Sequence, residues 1–121
     1  MKTLKILGNQ KLTGSIRISG AKNSAVALIP ASILCDDVVN IDNIPNISDI
    51  GALNEILEFL GAKTTIKDGL MTIDSKSIEN KEIPKEVSSK LRASYYFMSA
   101  LLGKFKHVEM YFPGGCKIGA R

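Results

Sequence analysis

The chain has 121 residues and a mass of 13.1 kDa, which corresponds to about one domain at the usual ~100–200 residues per domain. Hydrophobic residues make up 45% and charged residues 23%, close to globular averages, which excludes a disordered tail or a fibrous repeat. The net charge of +4 suits an anionic partner without specifying one. No apolar run reaches the ~18 residues of a spanning helix and no apolar signal core follows Met1, so we expect a cytoplasmic protein with no membrane partner.

The first elements are predicted to be two short strands and a buried helix. Residues 4–7 and 15–19 alternate polar and apolar side chains, as half-buried strands do. Apolar residues then recur at intervals of three and four over residues 25–34, which predicts a helix buried on most sides. Asn23 or the following serine is expected to cap its start, and Pro30 to kink or shorten it.

The middle of the chain predicts a strand, a helix and a hairpin. The β-branched run at residues 38–44 ends at a proline and is typical of a strand. Ser48 or Asp49 is expected to cap a helix with one apolar stripe, which ends at Gly61. Asp68-Gly69 is the pair that a type I′ hairpin turn favours, because both positions need positive φ.

The last third predicts a polar loop over residues 75–85, a long helix over residues 84–105 and a strand at residues 108–112. The order of all the elements predicts an α/β fold with helices on one face of a mixed sheet. The chain stops directly after the glycine-rich loop at residues 113–121. Since functional loops normally lie between elements that hold both their ends, we expect the chain to be truncated.

Two segments combine a cation with a position that suits an anion. Lys22 and Asn23 follow a small-residue turn at a helix N-terminus, where backbone N–H groups and the helix dipole favour negative charge. Arg92 offers a planar guanidinium fork for phosphate or carboxylate. The alternative for Lys22 is a capped turn with a solvated lysine, and for Arg92 a solvated helix cation.

The third segment, residues 113–121, carries the most reactive group. Cys116 lies between Gly115 and Lys117, with Arg121 close behind, and such an electropositive setting lowers the pKa of a thiol so that it can donate a proton or attack. Three glycines permit the loop to close over a ligand. The alternative is a linker with an incidental thiol.

The other cysteine and the single histidine predict no site. Cys35 ends an apolar helical run and is interpreted as a small hydrophobe. His107 is interpreted as a surface histidine or one with satisfied hydrogen bonds. Without a CxxC pair or a second histidine, neither a zinc site nor a disulfide framework is supported, and no metal is expected.

Three motifs in order resemble the UDP-N-acetylglucosamine 1-carboxyvinyltransferases, the enolpyruvyl transferases that begin bacterial peptidoglycan synthesis. Residues 11–23 resemble the family's N-terminal signature, residues 91–94 its helix motif and residues 113–121 its catalytic loop. The resemblance implies transfer of the enolpyruvyl group of phosphoenolpyruvate to the 3′-hydroxyl of UDP-N-acetylglucosamine, with release of phosphate. It implies neither a metal nor a cofactor.

The same resemblance implies roles for five residues. Cys116 would donate the proton to the methylene carbon of phosphoenolpyruvate and would be alkylated by the antibiotic fosfomycin. Lys22 and Asn23 would meet phosphoenolpyruvate and the sugar nucleotide, while Arg92 and Arg121 would hold the anionic groups of the reactants.

The family's architecture is a two-domain inside-out α/β barrel built from βαβαββ units, with the active site between the domains. By analogy, residues 1–19 would pack with the C-terminal domain. Residues 20–121 would form an incomplete N-terminal domain that ends in the catalytic loop. The aspartate base would then lie beyond Arg121, and the chain alone would be inactive.

Two alternatives remain. One is a transferase similar to 5-enolpyruvylshikimate-3-phosphate synthase, which that family's lack of a Gly-Gly-Cys loop disfavours. The other is a noncatalytic module that binds an anion or nucleic acid. Nucleic acid is not expected as a partner, because the aromatic residues do not alternate with Lys and Arg along a strand.

Overall fold

The computed structural model describes residues 2–89 and 92–111, which form helices and one sheet around a shared core. Short 3₁₀ turns follow α1 and precede α4. In chain order the elements are α1 (Lys22–Ala31), a 3₁₀ turn (Ser32–Leu34), β1 (Val38–Ile41), α2 (Ser48–Leu60), β2 (Lys63–Lys67), β3 (Leu70–Asp74), α3 (Lys85–Ser88), a 3₁₀ turn (Arg92–Ser94) and α4 (Tyr95–Phe105).

The described strands form one sheet in the order β1-β3-β2, and β3 pairs antiparallel with both neighbours. The predicted hairpin is confirmed: Asp68 and Gly69 have φ of +50° and +80°, as a type I′ turn requires. The predicted mixed sheet is wrong for this part of the chain, because both observed pairings are antiparallel. One face of β3 places Met71 and Ile73 in the core, and Thr72 on the other face bonds Asn40 of β1.

The helices lie together over the core face of the sheet. α1 packs against α2 and α4, and α2 also contacts β2. Their buried side chains, such as Ile29, Leu57 and Leu101, join those of β3 in one cluster. The predicted placement of the helices on one face is therefore confirmed.

The helix ends show which local signals decided the structure. α1 ends one residue after Pro30, in line with the predicted shortening of this helix. α2 ends at Gly61 in the left-handed conformation with φ of +103°. The predicted caps are wrong. The residues before the two helices, Ala21 and Ile47, have the extended backbone of an N-cap and offer no capping side chain.

The predicted long helix at residues 84–105 is interrupted, and α3 and α4 are separate elements. The Ser94 hydroxyl donates to the Ser88 carbonyl at 2.8 Å, and both serines are fully buried. In a continuous helix that carbonyl would instead accept from the N–H of residue 92. The predicted strand at residues 108–112 is reduced to one parallel bridge between Met110 and Ile83, and residue 112 lies outside the described residues.

The predicted N-terminal strands are not formed. Residues 2–19 have no helix or strand, and Ile16 and Ile18 are 89% and 79% exposed. A strand is stable only when a neighbouring strand satisfies its N–H and C=O groups, and the sheet described above supplies none to this segment. Among the described residues, no helix is long and apolar enough to cross a membrane.

Candidate functional site

The start of α1 is held against the loop that follows β1 by a close backbone contact at Gly20. A Cβ built on Gly20 would lie 1.6 Å from the carbonyl oxygen of Asn43, so only glycine fits at this position. The loop is itself fixed, because the next residue, Ile44, donates its N–H to the Gly69 carbonyl of the hairpin turn at 2.8 Å. Gly20 therefore fixes where α1 begins relative to the sheet.

The first turn of α1 presents unbonded N–H groups beside a lysine. Its first main-chain hydrogen bond runs from Ala25 N–H to the Ala21 carbonyl at 3.1 Å, so the three preceding N–H groups have no acceptor within the helix. Ala21 has only a methyl side chain and cannot cap them. Lys22 and the exposed Asn23 lie in this turn, which confirms their predicted place at a helix N-terminus.

Lys22 is paired with an aspartate from a second helix. Its Nζ forms an ion pair with Oδ2 of Asp49, which lies in the first turn of α2. The Lys22 side chain is 55% exposed and that of Asp49 only 18%. The N-terminal end of α2 stabilises the carboxylate, and the carboxylate in turn offsets the unfavourable position of a cation at the start of α1.

Arg92 lies in the 3₁₀ turn before α4, not within a continuous helix as predicted, and it is exposed. It is close to Tyr95, whose ring stacks on that of Tyr96 with centroids 4.4 Å apart. Hydrogen bonding with Tyr96 raises the pKa of the Tyr95 phenol, burial raises it further, and the Arg92 guanidinium acts in the opposite direction.

The two remaining predicted site residues, Cys116 and Arg121, lie outside the described residues. Cys35, interpreted as a small hydrophobe, is instead an exposed thiol directly after the first 3₁₀ turn. The chain turns out of the core there, and the Cys35 carbonyl accepts a hydrogen bond from Ser75 at 2.7 Å. The interpretation of His107 as a surface histidine is confirmed, since its exposed ring lies 3.1 Å from a Glu109 oxygen.

The residue that the sequence analysis missed is Asp49. It was interpreted as a possible helix cap, whereas its carboxylate bonds a lysine of another helix. No signal in the sequence links residues 22 and 49, because the contact depends on how α1 packs against α2.

The described residues offer no cluster of three or more His, Cys, Asp or Glu that could hold a metal ion. An open cleft of about 470 Å³ lies between the hairpin turn and the start of α2. Residues 44–47 line much of it, and Asp68 is the charged side chain among the lining residues. Of the predicted site residues that the structure describes, Lys22, Asn23 and Arg92, none lines this cleft.

Comparison with known proteins gives consistent matches. A family model described as EPSP synthase (3-phosphoshikimate 1-carboxyvinyltransferase) matches residues 6–121. A relative from Lactococcus lactis, named UDP-N-acetylglucosamine 1-carboxyvinyltransferase 2, is 47% identical over the whole of this chain, which covers 29% of that relative. A relative of the same name from Bacillus subtilis is 46% identical, again over the whole chain and 28% of the relative.

A relative from Streptococcus pneumoniae named UDP-N-acetylglucosamine 1-carboxyvinyltransferase is 48% identical, over the whole chain and 29% of its own length. Among solved structures, the enolpyruvyl transferase NikO from Streptomyces tendae matches with a TM-score of 0.70 and 28% identity, over 81% of this chain and 23% of that one. This likeness confirms the fold expected from the sequence. The chain spans less than a third of the length of these relatives.

Proposed function

Because this chain belongs to the EPSP synthase family of enolpyruvyl transferases, we propose that the protein transfers the enolpyruvyl group of phosphoenolpyruvate to the 3′-hydroxyl of UDP-N-acetylglucosamine, with release of phosphate. The reaction would serve peptidoglycan synthesis. The observation that carries this proposal is the 46–48% identity, over the whole chain, to relatives named for that acceptor.

The proposed chemistry assigns the proton transfer to Cys116. Protonation of the methylene carbon of phosphoenolpyruvate by Cys116 leaves the adjacent carbon electron-poor. The 3′-hydroxyl of the sugar attacks that carbon and gives its proton to the aspartate base expected elsewhere in the protein. Phosphate then leaves, and the former methylene carbon returns a proton to the Cys116 thiolate, which restores the double bond. A thiol that glycines and cations flank in the sequence suits the donor role. The same nucleophilic sulfur would be the site of alkylation by fosfomycin.

The proposed binding roles rest on charge. Both substrates carry several negative charges, and fixed cations stabilise such charge better in a closed site than in water. Lys22, Asn23 and the N–H groups of the first turn of α1 would contact phosphoenolpyruvate and the sugar nucleotide. Arg92 and Arg121 would hold other anionic groups, and the exposure of Arg92 leaves its guanidinium accessible.

The rest of the site would come from outside these 121 residues. We propose that residues 1–19 pack with the C-terminal domain, that residues 20–121 are part of the N-terminal domain, and that the catalytic aspartate lies elsewhere in the protein. Support comes from the large apolar side chains of the N-terminal segment that stand more than 70% exposed: Leu4, Ile6, Leu7, Leu12, Ile16 and Ile18. Such a row is typical of a surface that another part of a protein covers.

The test is phosphate release by the protein purified at its natural length, with phosphoenolpyruvate and one acceptor at a time. We expect release with UDP-N-acetylglucosamine and none with shikimate 3-phosphate. Release with shikimate 3-phosphate alone would favour the other acceptor named by the family description. Release with neither would refute the transferase. A chain of residues 1–121 alone should release no phosphate.

Both substrates are soluble metabolites, so we propose that the reaction takes place in the cytoplasm.

A further inference from the structure

We infer that Asp49 is a positioning residue: its carboxylate holds the Lys22 ammonium at the open first turn of α1, in the orientation that receives an anionic group of the substrate. The inference rests on the proposed function, since it concerns the same site. It adds a residue that the motifs of the sequence did not include.

For Asp49 to position Lys22, the carboxylate must be held by the protein while the ammonium stays open to a ligand, and the exposure of the two side chains fits this requirement. The Asp49 side chain is 18% exposed and belongs to the first turn of α2, whose backbone holds it in place. The Lys22 side chain is 55% exposed, so a ligand can reach its ammonium. An ammonium has three donors. The Asp49 carboxylate forms an ion pair on one side of the ammonium, so donors on its exposed side remain for an anion.

The other aspartate–lysine pairs of the described residues lack this arrangement. In the Lys76–Asp37 pair, 3.0 Å apart, both side chains are more than half exposed. In the Lys104–Asp36 pair the lysine is the covered partner and the aspartate is 91% exposed. The exposed Lys76–Asp37 pair contributes little to stability. In the Lys104–Asp36 pair the ammonium is the covered group, so it is less open to a ligand than that of Lys22. Among these three lysines, Lys22 lies at the start of a helix and pairs with a largely buried carboxylate.

The backbone around the pair is fixed as well. Gly20 lies against the Asn43 carbonyl, and α1 packs on α2, so the two helix starts cannot move apart without breaking that contact. A lysine side chain otherwise loses much conformational freedom when a ligand orders it. With Asp49 in place, that freedom is restricted before the substrate arrives.

The test is a double-mutant cycle in the protein at its natural length, with kcat and KM for phosphoenolpyruvate as readouts. Asp49→Asn keeps the shape and removes the charge, and we expect kcat/KM to fall by about 10- to 100-fold, as for a misplaced binding group. In the Lys22→Met background the same substitution should have no further effect, because the residue it acts through is gone. Asp37→Asn, which breaks an exposed aspartate–lysine pair, is the matched control and should leave kcat/KM unchanged.

A fall of equal size in both backgrounds would overturn the inference, since Asp49 would then act independently of Lys22. Tighter binding of phosphoenolpyruvate by Asp49→Asn would also overturn it, because the carboxylate would then compete with the substrate for Lys22. If Asp49→Asn does not fold, Asp49→Ala, which also removes the charge, replaces it in the cycle with the same expectations. If the unmodified protein releases no phosphate with any acceptor, the proposed function fails, and the cycle is measured on the binding of inorganic phosphate by calorimetry.

Discussion

Gly20→Ala should disturb the site without removing a functional group. The added Cβ would lie 1.6 Å from the Asn43 carbonyl oxygen and 2.9 Å from its carbon. Real Cβ contacts essentially never fall below 3.0 Å, so the two backbone segments must separate by at least the 1.4 Å difference. The loop cannot simply give way, because Asn43 has a positive φ of 56° and Ile44 is bonded to the hairpin turn.

The size of the effect follows from this displacement. Forcing extra volume into a packed contact costs about 1–3 kcal/mol of folding free energy. A shift of roughly 1 Å in a substrate-contacting group can lower the rate about 100-fold. Because the displaced segment carries Lys22, we expect Gly20→Ala to lower kcat/KM about 100-fold. The fraction of folded protein should fall by much less than kcat/KM.

The assay pairs urea unfolding, followed by circular dichroism, with phosphate release at saturating and limiting phosphoenolpyruvate. Gly51→Ala is the matched control. Gly51 lies inside α2, is exposed, and its added methyl group would meet no heavy atom within 4 Å. That variant should gain about 0.5–1 kcal/mol from helix propensity and keep its activity. Equal stability and equal activity of Gly20→Ala and the unmodified protein would refute the contact on which the site geometry depends.

Other substitutions separate chemistry from structure. Cys116→Ser should abolish most phosphate release. Cys35→Ser, at an exposed position, should change the free energy of unfolding by less than about 0.5 kcal/mol and leave activity intact. Equal losses of activity in the two variants would contradict the assignment of Cys116 as the proton donor. Incubation with fosfomycin and UDP-N-acetylglucosamine should add the mass of the drug at Cys116, and an unmodified thiol in the mass spectrum would count against its role. Ser94→Ala should destabilise the protein by about 1–3 kcal/mol, because the buried Ser88 carbonyl loses its donor, while Ser99→Ala on the exposed face of α4 should be neutral in the same unfolding assay.

Elements that depend on local chemistry were predictable from the sequence. The hairpin follows from two adjacent residues that tolerate positive φ, and the end of α2 follows from a glycine in the left-handed region. The shortened α1 follows from Pro30. In each case the deciding interaction lies within a few residues, so a single sequence contains it.

Elements that depend on distant partners were not predictable. The alternation at residues 15–19 is that of a strand, but a strand exists only when a neighbour bonds to it. The apolar periodicity through residues 84–105 continues across the break between α3 and α4, because both helices face the same core. Beside the break, the Ser94 hydroxyl donates a buried hydrogen bond to the Ser88 carbonyl. A serine in a helical sequence pattern does not predict such a bond.

The candidate site also combines features set by the local sequence with features set by distant contacts. The place of Lys22 at a helix start follows from the local pattern, but its orientation depends on a carboxylate of another helix. The fold supplies that carboxylate through α2, whose register is fixed by its buried stripe, so core residues such as Ile50 and Leu53 set where Asp49 lies. Arg92, in a 3₁₀ turn between two short elements, has no comparable anchor among the described residues. The core therefore fixes the position of one cation of the proposed site before a substrate binds.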